Sequence, residues 1–131
     1  MSVLPTDTFL GKLKILYTYE YYDRPVLFAC QNAAQTNYLV VLLDESDASD
    51  VWLYVALSHN RFEAIHQGNL DLYHAFKEAE DEIVYEVTIF QSAHPSQIRI
   101  LPTNALSDSQ LPTIGEFLDT VLNEFGKTAS G

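Results

Sequence analysis

From Lys12 to Tyr22 the chain alternates with a period of two: Ile15, Tyr17, Tyr19 and Tyr21 fall on one side, Leu16, Thr18, Glu20 and Tyr22 on the other. Side chains of an extended strand point alternately to opposite faces, so this pattern predicts a strand with one aromatic and one half-wet face. Asp23, Arg24 and Pro25 predict a tight turn, because Asp tolerates turn geometry and Pro has no amide to give to a central ladder. Residues 26–30 return as the partner strand. After a polar connection, residues 38–43 form an apolar run on both faces, which predicts a central strand covered on both sides. Residues 44–50 carry four acids in seven positions and predict a solvated turn before a fourth strand at 51–57.

The period then changes. Ser58 is placed to cap a short helix in which Phe62 and Ile65 share a face and Gly68 ends the turn. A second helix follows from Asn69 or Asp71, with Leu72, Ala75, Phe76 and Ala79 forming an apolar stripe at offsets of three and four. Alternation resumes over 83–90 and 98–101. Thr113 and Glu116 have the spacing of a capping box, and Ile114, Phe117, Leu118, Val121, Leu122 and Phe125 recur at helical offsets up to Gly126. The expected fold class is therefore α+β: a single twisted antiparallel sheet of five to six strands, two short helices on one face and a C-terminal amphipathic helix. Residues 1–126 are expected to form one domain, with 127–131 a disordered tail.

Composition bounds what such a domain does. A chain of 131 residues, 47% apolar with 15 Phe and Tyr, buries about two thirds of its unfolded surface and needs no staple. The single cysteine, Cys30, excludes an intrachain disulfide. No apolar run reaches the roughly 18 residues of a membrane helix, and the first ten residues lack a signal-peptide pattern, so a cytoplasmic location and no membrane partner are expected. Seven Lys and Arg against eighteen Asp and Glu give a formal charge of −11, which disfavours direct nucleic-acid binding and suits a protein partner with a basic surface.

Convergent chemistry is hard to find in the residues. The acids at 44, 45, 47 and 50 lack the glycine and distal Glu of a calcium loop, and no HExxH, phosphate loop, GxGxxG or GxSxG is present, so no cofactor and no metal are expected. Ser58, His59 and Asp71 have the residue types of a triad, yet Ser58 already serves as a helix cap. The aromatic residues carry more promise. Tyr17, Tyr19, Tyr21, Tyr22, Trp52 and Tyr54, with Tyr38, come from neighbouring strands, and tyrosine and tryptophan combine contact area with a polar tip suited to binding patches. Arg61 is a candidate anchor for a partner carboxylate.

The runs Asp23-Arg24-Pro25-Val26-Leu27-Phe28 and Trp52-Leu53-Tyr54-Val55-Ala56-Leu57-Ser58, with Arg61, Ile65, Gly68, Leu72, Ala75 and Phe76, resemble a bacterial domain family of unassigned function. Its pattern is Asp-x-Pro-x-Leu-Phe, a Trp-Leu-Tyr-Val strand, and Ser-x-x-Arg before two short helices; the similarity spans residues 12–90. The resemblance implies a bacterial or phage-encoded cytoplasmic protein from toxin, defence or regulatory gene sets, and it transfers no catalytic residue.

The functional expectation is a noncatalytic protein-binding or regulatory module that docks an acidic, Tyr-rich surface on a basic partner. One alternative is a small hydrolase or nuclease component using His59, His66 or His74 with Asp71, which requires at least two of these side chains to converge in a cleft. Another is a homo-oligomer in which the strand from Ile15 to Tyr22 pairs with its own copy.

Overall fold

The computed structural model describes residues 4–5, 10–21, 24–91, 95–107 and 111. Six strands form one antiparallel sheet in sequence order: β1 (Leu13–Tyr21), β2 (Pro25–Asn32), β3 (Asn37–Glu45), β4 (Ser49–Leu57), β5 (Ile83–Phe90) and β6 (Gln97–Pro102). Between β4 and β5 lie two short helices, α1 (His59–His66) and α2 (Leu72–Lys77). Neighbouring antiparallel strands can be joined by short connections, as all are here except the helical β4–β5 link, and this order leaves β1 and β6 as the two edges.

The expected α+β class is corrected by this architecture, which is mainly antiparallel sheet: the strands run six to nine residues, against eight and six for the two helices. Both helices are short for local reasons. α1 begins at Ser58, whose hydroxyl accepts from the Arg61 amide, and is followed at Gly68 by a left-handed φ of 78° that a side chain would resist. α2 is capped by Asp71 and stops at Lys77, before the apolar stripe reaches Ala79. The amphipathic helix expected over 113–125 lies outside the described residues, as does the tail at 127–131, so the architecture rests on the sheet and the two short helices.

Each face of the sheet carries its own core. On the first, Leu27, Ala29, Leu39, Leu53, Val55 and Val84 meet Phe62 and Ile65 of α1 and Leu72, Ala75 and Phe76 of α2. On the second, Phe28, Cys30, Tyr38, Val40, Trp52, Tyr54, Val87 and Ile89 pack with Leu10 and Leu13. Period-two alternation produces this division directly: Leu27 and Ala29 face the helices while Phe28 and Cys30 face away.

Strand β1 departs from simple alternation. Ile15 pairs with Cys30 but Tyr17 with Ala29, so Leu16 is an extra residue in the ladder, and further irregularities follow before Glu20 and before Tyr21. An inserted residue moves everything beyond it to the other face. Ile15 consequently packs with the second core and Tyr19 with the first, which corrects the expectation that Ile15, Tyr17, Tyr19 and Tyr21 share a side. The β3–β4 connection is also shorter than expected. Asp44, Glu45 and Asp50 belong to strands, and Ser46 closes the turn by donating to the Ser49 carbonyl and accepting from the amides of Ala48 and Ser49.

Candidate functional site

Shifted by its bulge, β1 brings Tyr17 and Tyr19 under the last turn of α1. Phe62 and His66 stand four residues apart on that helix, so they lie on one face. The Tyr17 ring sits 4.5 Å from the His66 ring and 6.1 Å from Phe62, and the Tyr19 hydroxyl shares a hydrogen bond with His66 Nδ1 at 2.9 Å. Burial pushes the Tyr19 phenol well above its ordinary range, reinforced by the Tyr17 phenol and the Glu63 carboxylate. The phenol therefore holds its proton at neutral pH and serves the cluster as a hydrogen-bonding group rather than a base.

This cluster ends in solvent. Tyr17 is 40% exposed and Tyr21, farther along the edge, 68% exposed. Together with Ile100 on β6 these are the large exposed apolar residues among those described. Glu20 is exposed on the same strand. Phe62, buried, and His66 join the cluster beneath the exposed tyrosines without having been singled out for it; the available signal was their four-residue spacing opposite two tyrosines.

The other expected binding residues are placed differently. Trp52 and Tyr54 are completely buried in the second core, on the face opposite Tyr17 and Tyr19, and offer no surface to a partner; this corrects the expectation that these two are partner-binding residues. The cause is parity, since β4 directs its residues 52 and 54 away from the helices while β1, after its bulge, directs its tyrosines toward them. Tyr22 lies outside the described residues. Arg61 is committed within the fold: its guanidinium donates to the carbonyls of His74 at 3.0 Å and Glu78 at 2.6 Å, closing the C-terminal end of α2 against α1.

Nor do the three described histidines assemble a cleft. His59 is exposed at the start of α1, His66 bonds Tyr19, and His74 contacts Asp71 at 2.5 Å. That last pair has the look of a catalytic dyad, but Asp71 also accepts from the His74 amide at 2.8 Å, which makes it the cap of the helix bearing its partner. Ser58 is likewise occupied, its amide donating to Glu80 and its hydroxyl accepting from Arg61. Among the described residues no group of three or more His, Cys, Asp or Glu is placed to hold a metal ion. Cys30 is buried, and burial pushes its thiol up to about 12, so it is no nucleophile near neutral pH.

The densest charge network is structural. Arg24, at the start of β2, donates to Asp50 at 2.6 Å and Glu45 at 2.5 Å and lies over the Trp52 ring at 5.6 Å. Asp50 is only 2% exposed, and its hydrogen bond is the main reason the Arg24 guanidinium holds its proton still more firmly than usual. Among the described residues no helix is long and apolar enough to cross a membrane.

Comparison with curated proteins and with solved structures yields no match. A family model does match, over residues 1–128, a longer stretch than the 12–90 that carries the motif resemblance. With a six-stranded meander, two capped helices and an aromatic patch at the β1 edge in place, the chain belongs to DUF6575, a family of unknown function.

Proposed function

We propose that this chain is a noncatalytic protein-binding module that docks the Tyr17–Tyr21 edge of its sheet on a partner with a basic surface. The observation that carries this reading is the concentration of exposed aromatic area on one edge strand of an acidic chain: Tyr17 and Tyr21 are 40% and 68% exposed, on a chain of formal charge −11. Tyrosines of this kind supply contact area at low entropic cost, and a negative field speeds encounter with a positive partner. Tyr19 and His66 act beneath the surface, holding the exposed ring of Tyr17 in place. A bacterial or phage setting and a role in toxin, defence or counter-defence systems, both implied by the motif resemblance, belong to the same proposal.

The test is affinity capture with the full chain as bait in extract from its native host, at two salt concentrations, alongside a Tyr17→Ser/Tyr21→Ser variant. A stoichiometric protein retained at low salt, weakened at high salt and lost with the variant is the expected result. Retention that ignores both salt and the double substitution would remove the reading.

A further inference from the structure

The cations of this acidic chain are not used evenly. Arg24 pairs with Asp50 and Glu45, Arg99 pairs with Glu86 at 3.0 Å, Arg61 binds two backbone carbonyls, and Lys77 donates to the Leu106 carbonyl at 2.8 Å. Lys12 and Lys14 are the exception among the described residues: both are exposed, and neither side chain makes a hydrogen bond or ion pair with another described residue. They are also together. Both line one groove of about 260 Å³ at the beginning of β1, shared with Gln31, Asn32 and Gln35. The rest of its lining, Leu13 and Ala33, is apolar, so among the described residues the groove wall carries positive charge and carboxamides but no carboxylate.

The groove is held by the backbone around it. Asn32 donates from Nδ2 to the Leu10 carbonyl at 3.1 Å and accepts at Oδ1 from the Thr36 amide at 2.9 Å, tying the segment before β1 to the β2–β3 turn. Gly11 turns the chain between Leu10 and Lys12 with a φ of +87°, a conformation that L side chains rarely adopt. Lys14 then pairs across the ladder with Gln31, whose amide donates once, to Asn37 Oδ1 at 3.1 Å, and keeps a second hydrogen. Gln35 is exposed on the turn, itself held by a backbone bond to Asn32 at 2.9 Å.

We propose that this groove binds an anionic group, a phosphate or carboxylate carried by a small ligand, with Lys12 and Lys14 supplying charge and Gln31 and Gln35 supplying amide donors. Two ammonium groups form charge-assisted hydrogen bonds to one anion, the stronger kind. The overall negative charge works against anions at a distance, but its reach is cut to about 8 Å at physiological ionic strength, and inside that radius the two lysines dominate. Lysines on a strand edge also discourage edge-to-edge pairing. Lys12, however, precedes β1 and has no place in the ladder, while three irregularities already break the regularity of that edge.

The experiment is an amide-resolved NMR titration of the full chain at moderate ionic strength, one series with inorganic phosphate and one with succinate. Saturable shifts confined to residues 11–14 and 31–35 are expected. Saturation by phosphate alone assigns a phosphate-bearing ligand, and saturation by succinate alone a carboxylate. The Lys12→Gln/Lys14→Gln variant is expected to weaken binding at least about tenfold, the scale of losing one charged hydrogen bond, with its thermal midpoint unchanged because neither lysine has an internal partner. Diffuse shifts that never saturate with either anion would overturn the proposal. So would a double variant that binds as before, including one that self-associates, which would leave the lysines as guards of the strand edge.

Discussion

The two faces of this sheet share every central strand and are built on different principles. Toward the helices the core is largely aliphatic, Leu27, Leu39, Leu53 and Val55 meeting Phe62, Ile65 and Phe76 from above. Away from them it is aromatic. Phe28 meets Trp52 edge-on at 5.6 Å and Tyr38 meets Tyr54 at 6.0 Å, so the rings satisfy much of their packing within the strand layer. Within the strands, this second face holds two polar atoms buried without a hydrogen-bond partner, the Trp52 indole nitrogen and the Tyr54 hydroxyl, while the helix side holds one, Arg61 Nε on α1. On the helix face the comparable hydroxyl, that of Tyr19, reaches His66. Among the described residues, then, the helix overlay supplies a polar partner to the first face, while the second draws on ring contacts, the Arg24 guanidinium over Trp52 and the Asn32 amide at 3.5 Å from the Tyr38 hydroxyl.

Truncating either core tests the contrast most severely. Phe76→Ala on the helix face and Trp52→Ala on the other should each cost about 3–5 kcal/mol in urea unfolding, the usual range for a buried aromatic. Trp52 is the larger side chain, yet its replacement also removes an unbonded buried N–H, so its cost should not exceed that of Phe76. A clearly larger loss at Trp52 would mean that the indole has a partner and that the two faces are alike.

Next in size is the charge network at the rim of the aromatic face. Arg24→Met leaves the carboxylate of Asp50 buried and uncompensated, which should cost about 2–4 kcal/mol. Adding Asp50→Asn should restore part of that loss, and a double-mutant cycle measures how much. Strict additivity would show that Arg24 acts through its contact with the Trp52 ring rather than through its charge.

Cys30 probes how tightly the second face is sealed. Its thiol should react with an alkylating agent at pH 8 no faster than the whole molecule unfolds. The pH dependence has a definite sign. Burial raises the thiol from 9.0 to about 12, so the folded state favours the protonated form, and that contribution is complete below pH 9 and is lost as pH rises toward 12. A Cys30→Ala variant should therefore show a shallower decline in stability over that window, read from urea midpoints at successive pH values.

The smallest effects compare two hydroxyls directly. Tyr54→Phe removes an unpartnered group and should leave stability unchanged or raise it by up to about 1 kcal/mol, while Tyr19→Phe removes a bonded one and should cost about 0.5–1.5 kcal/mol. Equal losses at the two positions would erase the difference between the faces.

Much of this architecture was legible in the residues, because local chemistry dictated it. Alternation at 83–90, the apolar run at 38–43 and the caps at Ser58 and Asp71 depend on neighbours within a few positions, and the strands and helices lie there. The balance of the fold was less legible. The helical signal after 113 weighed heavily in the expected α+β class, whereas the described residues make a sheet with only two short helices. The candidate site was legible in part. Tyr17 and Tyr21 stand exposed on β1, but Trp52 and Tyr54 are sealed in the opposite core and Arg61 is spent on the end of α2.

By itself, then, the sequence determined where the chain extends, where it coils into helix, and that its surface is acidic, since periodicity, capping and charge are properties of short windows. Tertiary structure decided which tyrosines meet solvent, which cations stay unpaired and which histidines find partners. Those outcomes turn on the irregularities of β1, beginning with the inserted Leu16, and on the pairing of strands distant in the chain, and a one-residue change of register moves a side chain from one face of a sheet to the other.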